Sequence, residues 1–209
     1  MNTAFELLLL SLAAKAGRRD VSAPVAAPSP IQQPAATPAP YRRTGSMPLS
    51  PRDFLDLVQA WAGANVPRIR NVWPLQGGWE AWAQAEIAAF VNADDRPTWI
   101  MRESRAYPDN SRADFLVNDP FQNEATDEIV VEMKCESLGN WDAFVDGLRY
   151  DVYKLQGDLG MGLNPAQRMV LGIFFSPESE AKLAQLAGFT ITYTPDREVG
   201  IASMVWQNP

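Results

Sequence analysis

Histidine is absent from this 209-residue chain, and cysteine occurs once, at position 135. Without histidine the chain cannot build a zinc–histidine site, a histidine-based metal centre, or the Ser-His and Cys-His pairs of many hydrolases. A single cysteine cannot form an intrachain disulfide, and we expect Cys135 to be a small buried hydrophobic residue. Any catalysis must therefore use carboxylates, lysine, tyrosine or a metal ion.

The apolar stretch at residues 5 to 17 is shorter than the roughly 20 residues that cross a membrane. Its basic residues follow the apolar run instead of preceding it, unlike those of a secretory signal. We predict a short apolar or amphipathic helix in residues 1 to 20, which docks on a protein partner or acts as an uncleaved leader. A surface anchor is less favoured, and stable membrane insertion is not expected. Residues 21 to 47, rich in proline and alanine, predict a disordered linker.

Residues 48 to 209 are long and apolar enough to form one domain with a sizeable core. Positively charged residues are scarce in this part of the chain. Residues 51 to 209 contain 13 basic and 23 acidic residues, a net charge of −10. Strong non-specific nucleic-acid binders are usually basic. The acidic balance therefore argues against such a binder, unless bound metal neutralises some carboxylates or a basic partner masks them.

Two adjacent segments, residues 112 to 117 and 128 to 137, alternate apolar and polar residues with the period of a β-strand. In the second segment Glu132 and Lys134 share the charged face. In the first, Asp114 lies on the face opposite to the aromatic and small apolar residues. If the two strands pair as antiparallel neighbours, Asp114 and Glu132 converge at the rim of a sheet with Lys134 beside them.

Two carboxylates and an ammonium are the groups needed to hold a divalent metal ion and a scissile phosphate. Mg²⁺ takes oxygen ligands and keeps several waters, so one or two carboxylates suffice. Bound metal makes a nucleophilic water available near neutral pH, and Lys134 would orient that water or stabilise charge on the phosphate. The alternative is a solvated sheet face, on which a Glu-x-Lys alternation is common.

With these residues in this order, the chain resembles the PD-(D/E)XK, or restriction-endonuclease-like, nuclease superfamily over about half its length. The core of that superfamily is a helix, three strands, a helix and a further strand, with an acidic residue on the second strand and Glu-x-Lys on the third. The resemblance implies an α/β fold with a restriction-endonuclease-like α/β/α core, in which a central mixed sheet is flanked by helices. The corresponding segments are residues 74–92, 97–108, 112–117, 128–137, 141–159 and 167–176.

The resemblance also implies a cofactor, Mg²⁺ or Mn²⁺, held by Asp114 and Glu132, with Lys134 as the third catalytic residue. Ala113 departs from the family's proline, and Glu80 and Glu86 compete for the glutamate that the first helix often adds. Glu136 is a further supporting candidate. The expected nucleic-acid contacts are Arg102, Arg105, Arg112, Arg149 and Lys154.

Three further elements are predicted outside this core. Residues 48 to 63 predict a helix with Ser50 as N-cap and Gly63 as its stop. Residues 176 to 189 predict a further helix, with Ser176 as its N-cap. Residues 189 to 207 alternate on either side of a turn and predict an edge hairpin.

Three functional classes stay open. The favoured one is a metal-dependent nuclease acting on nucleic acid, with DNA as the preferred substrate, in defence, conflict between microbes or mobile-element biology. The second is a catalytically inactive nuclease fold that works as an interaction or structural module. The third is an unrelated α/β binding domain. We expect a cytoplasmic protein, or one delivered from the cytoplasm by a non-classical route, and a homodimer stays open.

Overall fold

A computed structural model describes residues 48–75, 78–94, 99–118, 127–160, 163 and 166–207 of the chain. The helix predicted in residues 1 to 20 and the linker predicted in residues 21 to 47 lie outside the described residues. The helices of the described part are α1 (Pro51–Val72), α2 (Glu80–Asn92), α3 (Trp141–Gln156) and α4 (Pro177–Leu183). Its strands are β1 (Ile100–Arg105), β2 (Arg112–Val117), β3 (Ile129–Cys135), β4 (Gln167–Phe174), β5 (Thr190–Tyr193) and β6 (Gly200–Gln207).

The six strands form one mixed sheet in the order β1-β2-β3-β4-β6-β5. The first three strands are antiparallel neighbours, and β3 pairs with β4 in parallel. A parallel pair needs a crossover connection, and α3 lies in the connection from β3 to β4. The predicted antiparallel pairing of β2 with β3 and the predicted mixed sheet flanked by helices are both confirmed.

Helices cover both faces of this sheet and form two separate cores. The core on one face contains side chains of α1 and α2, and the core on the other contains side chains of α3 and α4. Successive residues of β2 divide between them, because alternate side chains of a strand point to opposite faces. Phe115 lies in the first core and Leu116 in the second. The same alternation places Glu132, two residues after Val130, on the face covered by α3. Near Asp114 the alternation of β2 breaks, because Ala113 lies in the same core as Leu116.

Helix α1 begins as predicted but ends later. Ser50 accepts a hydrogen bond from the Asp53 backbone N–H, and Asp53 returns one to the Ser50 backbone N–H in a capping box. The predicted stop at Gly63 is wrong, because the helix continues through Gly63 and Pro67 to Val72. Burial of Val66 and further residues in the last turns outweighs the unfavourable helix propensity of glycine and proline.

The remaining boundaries differ from the predicted ones by a few residues. β2 has the predicted bounds, whereas β1, β3 and β4 are shorter at their ends. α2 begins at Glu80 instead of residue 74, and α3 ends at Gln156 instead of residue 159. α4 has the predicted N-cap, Ser176, but ends at Leu183. The predicted hairpin is confirmed, with β5 at the edge of the sheet.

Candidate functional site

The candidate site lies where β2 and β3 separate. Their paired register ends at Phe115 and Val131, after which β2 continues beside β1 and β3 continues beside β4. Asp114 lies in the opening: its Oδ2 accepts a hydrogen bond from the Met133 backbone N–H at 2.6 Å. Its Oδ1 accepts one from Gln84 Nε2 of α2 at 2.8 Å. The carboxylate of Asp114 is therefore fixed between β3 and α2.

Glu132 is a buried carboxylate of the site, with 3% of the residue exposed. Its Oε1 accepts hydrogen bonds from Lys154 Nζ at 2.8 Å and from the Tyr107 hydroxyl at 2.5 Å. Lys154 Nζ also lies 4.3 Å from the centre of the Tyr107 ring. Burial raises the pKa of Glu132 to about 7, although Lys154 and Tyr107 oppose that rise. Glu132 thus carries negative charge that its protein partners compensate incompletely.

Lys134 lies between two carboxylates that come from different helices. Its Nζ is 3.0 Å from Asp151 Oδ2 of α3 and 3.7 Å from Glu80 Oε1 of α2. The ammonium also donates to the Met133 carbonyl at 3.0 Å. Burial lowers the pKa of Lys134, but the charges of Asp151 and Glu80 raise it by more than burial lowers it. The pKa of Lys134 therefore lies above its usual value. Lys134 is therefore a charged ammonium at neutral pH.

Glu80 is the first residue of α2, and it also accepts a hydrogen bond from the Cys135 backbone N–H through Oε2 at 3.2 Å. Burial raises the pKa of Glu80, and Lys134 opposes this rise. Of the two glutamates that competed for a supporting role, Glu80 is the one that α2 brings to the site.

Asp151 is the member of the site that the sequence did not single out as a site residue. It is 2% exposed, and burial raises its pKa to about 6. Gly147, Asp151 and Lys154 follow one another at intervals of four and three residues in α3, which places them on one face of the helix. An acidic residue and a lysine at that spacing, after the Glu-x-Lys strand, are the signal that could have identified this face.

Four carboxylates and two ammonium groups therefore meet within one site. The carboxylates belong to Glu80, Asp114, Glu132 and Asp151, and the ammonium groups to Lys134 and Lys154. Asp114 also raises the pKa of Glu80, Glu132 and Asp151 by like-charge repulsion. When all six groups are ionised, the negative charge exceeds the positive charge.

This donor set fits a hard divalent cation in its chemistry, because it offers carboxylate oxygens with uncompensated charge. Asp114 and Glu132 are the residues that would hold it. As the side chains stand, their oxygens accept hydrogen bonds from N–H and O–H groups, and Lys154 occupies the cationic position at Glu132. Among the described residues, no three acidic or cysteine side chains are grouped closely enough to hold a metal. Cation binding would therefore require Lys154 to withdraw from Glu132.

Two open cavities reach the site from different sides. One, of about 540 Å³, is lined by Glu80 and Lys134 among others, near the start of α3. The other, of about 450 Å³, is lined by Tyr107, Tyr150 and Lys154 among others, nearer the end of α3. Lys134 is therefore reached from the first cavity and Lys154 from the second.

Two of the predicted supporting residues lie elsewhere. Glu86 forms an ion pair with Arg68 of α1, with 2.9 Å between Arg68 Nη1 and Glu86 Oε2, on the outer side of α2. Glu136 is fully buried and accepts hydrogen bonds from the backbone N–H groups of Phe175 and Ser176 and from two serine hydroxyls. It holds the start of α4 in place. The structure therefore does not bring the carboxylates of Glu86 and Glu136 together with those of the site.

The five predicted nucleic-acid contacts differ in their distance from the site. Arg102 donates to Gln84 Oε1 at 3.1 Å, and Gln84 in turn contacts Asp114. Lys154 is in the site itself and is bound to Glu132 instead of being free on the surface. The remaining three are exposed: Arg105 beside the second core, Arg112 at 3.9 Å from Glu103, and Arg149 in an ion pair with Asp146 on α3.

Comparison with protein-family models, with curated proteins and with solved structures found no match to this chain. In the described residues, no helix has both the length and the apolar character needed to cross a membrane. The functional inference therefore depends on the geometry of the site.

Proposed function

We propose that the chain is a metal-dependent phosphodiesterase that cleaves nucleic acid, with DNA as the favoured substrate, on a restriction-endonuclease-like fold. The observation that carries the proposal is the meeting of Asp114, Glu132 and Lys134 at the point where β2 separates from β3. The element order α2-β1-β2-β3-α3-β4 supports the fold part of the proposal, since it has a helix, three strands, a helix and a strand.

Each residue has a role that its surroundings favour. Asp114 and Glu132 would hold Mg²⁺ or Mn²⁺ through carboxylate oxygens. The bound ion would polarise a phosphoryl oxygen and make a water nucleophilic near neutral pH. Lys134, charged and directed from β3 between α2 and α3, stabilises negative charge that develops on the phosphate as water attacks. Glu80 limits the freedom of that ammonium from the side of α2.

Lys154 and Arg102 are the cations best placed to contact the sugar–phosphate backbone. Lys154 is paired with Glu132 and would be free for that contact only if a divalent ion took its place at Glu132. Arg102 donates a hydrogen bond to Gln84, which in turn donates one to Asp114. The remaining exposed arginines supply weaker, sequence-independent attraction, which salt screens.

A second candidate is a nuclease fold without activity that serves as an interaction module. The observation that favours it is the Lys154–Glu132 ion pair, which gives the buried carboxylate a cationic partner without metal. The net charge of residues 51 to 209 is also unfavourable for a nucleic-acid binder.

Degradation of plasmid DNA and of RNA with Mg²⁺ or Mn²⁺, compared with EDTA, separates the two candidates. The nuclease proposal expects metal-dependent cleavage by the wild type and by Glu86→Gln, and loss of cleavage in Glu132→Gln. Glu86 is a matched control because its carboxylate lies in an ion pair on the outer side of α2. Absence of cleavage by the wild type on both nucleic acids, under all metal conditions, favours the interaction module.

A further inference from the structure

Helix α3 contributes a slot for the side chain of Lys134. A Cβ placed on Gly147 would lie 3.2 Å from Lys134 Cδ and 3.5 Å from Lys134 Cε. The first contact is tighter than ordinary van der Waals separation and the second is ordinary, so a larger residue at 147 would require the lysine side chain to shift by a few tenths of an ångström. The lysine stem thus passes close to the helix at Gly147, which has no side chain there.

One turn further along α3, the carboxylate of Asp151 lies at the end of the Lys134 side chain and forms an ion pair with its ammonium group. Its Oδ2 lies 3.0 Å from Lys134 Nζ, and 2% of the residue is exposed. The second carboxylate at the ammonium, Glu80, is farther away at 3.7 Å and more exposed. Removal of Lys134 would leave the buried carboxylate of Asp151 without its cation, which is strongly destabilising. The lysine itself is 28% exposed and keeps Glu80 as a second partner.

From this arrangement we infer that Asp151 is a positioning residue, which holds the Lys134 ammonium at the site and binds neither the metal nor the phosphate itself. The inference rests on the proposed function and assigns to α3 a role within it. Asp151 contacts Lys134, whereas Asp114 and Glu132 have their hydrogen bonds to Gln84, Met133, Tyr107 and Lys154. The carboxylate of Asp151 acts through the lysine.

The kinetic test compares Asp151→Asn, Asp151→Glu and the control Asp146→Asn, which removes an exposed carboxylate from the same helix. Misplacement of a catalytic group by about 1 Å can lower the rate on the order of 100-fold. We therefore expect Asp151→Asn to lower kcat by about 10- to 100-fold, while KM and the Kd for Mn²⁺ stay within about twofold. Asp151→Glu should recover part of kcat, and Asp151→Asn should not lower kcat further in a Lys134→Met background.

A second measurement does not need activity. A double-mutant cycle of Asp151→Asn and Lys134→Met, measured by urea unfolding, gives the coupling between the two side chains. The cycle of Asp146→Asn and Arg149→Met is its control. We expect the first coupling to change the unfolding equilibrium at least about tenfold, and the exposed control pair less than about fivefold.

Two results would overturn the inference: a coupling no larger than that of the control pair, or a loss of Mn²⁺ affinity in Asp151→Asn as large as in Glu132→Gln. The latter would make Asp151 a metal ligand. A wild type that cleaves no nucleic acid refutes the proposed function instead, and the double-mutant cycle then decides by itself whether Asp151 holds Lys134.

Discussion

Replacement of Glu132 by glutamine should make the stability of the protein less dependent on pH. Glutamine keeps the size of the side chain but cannot ionise. In the wild type, burial raises the pKa of Glu132 from 4.5 to about 7, so the folded protein binds this proton more tightly than the unfolded chain does. The free energy of unfolding contributed by Glu132 therefore falls as the pH rises from about 4.5 to about 7, and it changes little above that range.

The size of this effect follows from the pKa shift. One pKa unit corresponds to about 1.36 kcal/mol, so ionised Glu132 destabilises the folded state by about 3 kcal/mol at pH 8. The difference in the free energy of unfolding between Glu132→Gln and the wild type should therefore rise by about 3 kcal/mol between pH 4.5 and pH 8. The fixed loss of packing or hydrogen bonding in the variant does not affect this rise, because it is present at every pH.

Urea unfolding in EDTA, followed by the fluorescence of the seven tryptophans, measures this difference at each pH. Glu86→Gln is the matched control, because an exposed ion pair such as Glu86 with Arg68 contributes about 1 kcal/mol or less. A difference between Glu132→Gln and wild type that stays constant within about 0.5 kcal/mol over this pH range would refute the view that Glu132 is a buried, poorly compensated carboxylate.

Three other perturbations test separate parts of the structure. Gly147→Ala should lower kcat about tenfold by displacing Lys134, with Mn²⁺ affinity unchanged in calorimetry; equal kcat would show that the slot in α3 is not needed. Glu136→Ala should destabilise the protein by about 3 kcal/mol in urea unfolding, because buried donors at the start of α4 lose their acceptor. The affinity for Mn²⁺ should not change, and a lower affinity would show that Glu136 belongs to the site. Acetylation of Lys154, followed by mass spectrometry, should become faster when Mg²⁺ is added, with Lys182 as the exposed control; an unchanged rate at saturating Mg²⁺ would show that the ion does not replace Lys154 at Glu132.

The strands of the site were predictable because their patterning has a single period. Alternation in residues 112 to 117 and 128 to 137 predicts a face for each side chain. The paired register of the two strands ends at Phe115 and Val131, so Asp114 and Glu132 are the residues next to its end. Glu136 shows the limit of this reasoning. It comes directly after the last residue of β3, where the chain leaves the sheet, so the period of two no longer determines where its side chain points.

Helices were less predictable because their contacts are decided by packing. The sequence left Glu80 and Glu86 equally open. The structure buries Gln84, Ile87 and Val91, which lie on the same face of α2 as Glu80. The burial of Asp151 was not predictable either, because a single acidic residue on an amphipathic helix is usually exposed. Its burial depends on Lys134, which lies far away in sequence and reaches it only after α3 has packed on the sheet.

Isothermal titration calorimetry with Mn²⁺ tests the central claim most directly, because it needs no knowledge of the substrate. The wild type, Glu86→Gln and Asp151→Asn should each bind Mn²⁺ with similar affinity, whereas Asp114→Asn and Glu132→Gln should each lose at least about tenfold in affinity. Failure of the wild type to bind Mn²⁺, or binding that survives unchanged in both Asp114→Asn and Glu132→Gln, would contradict the account.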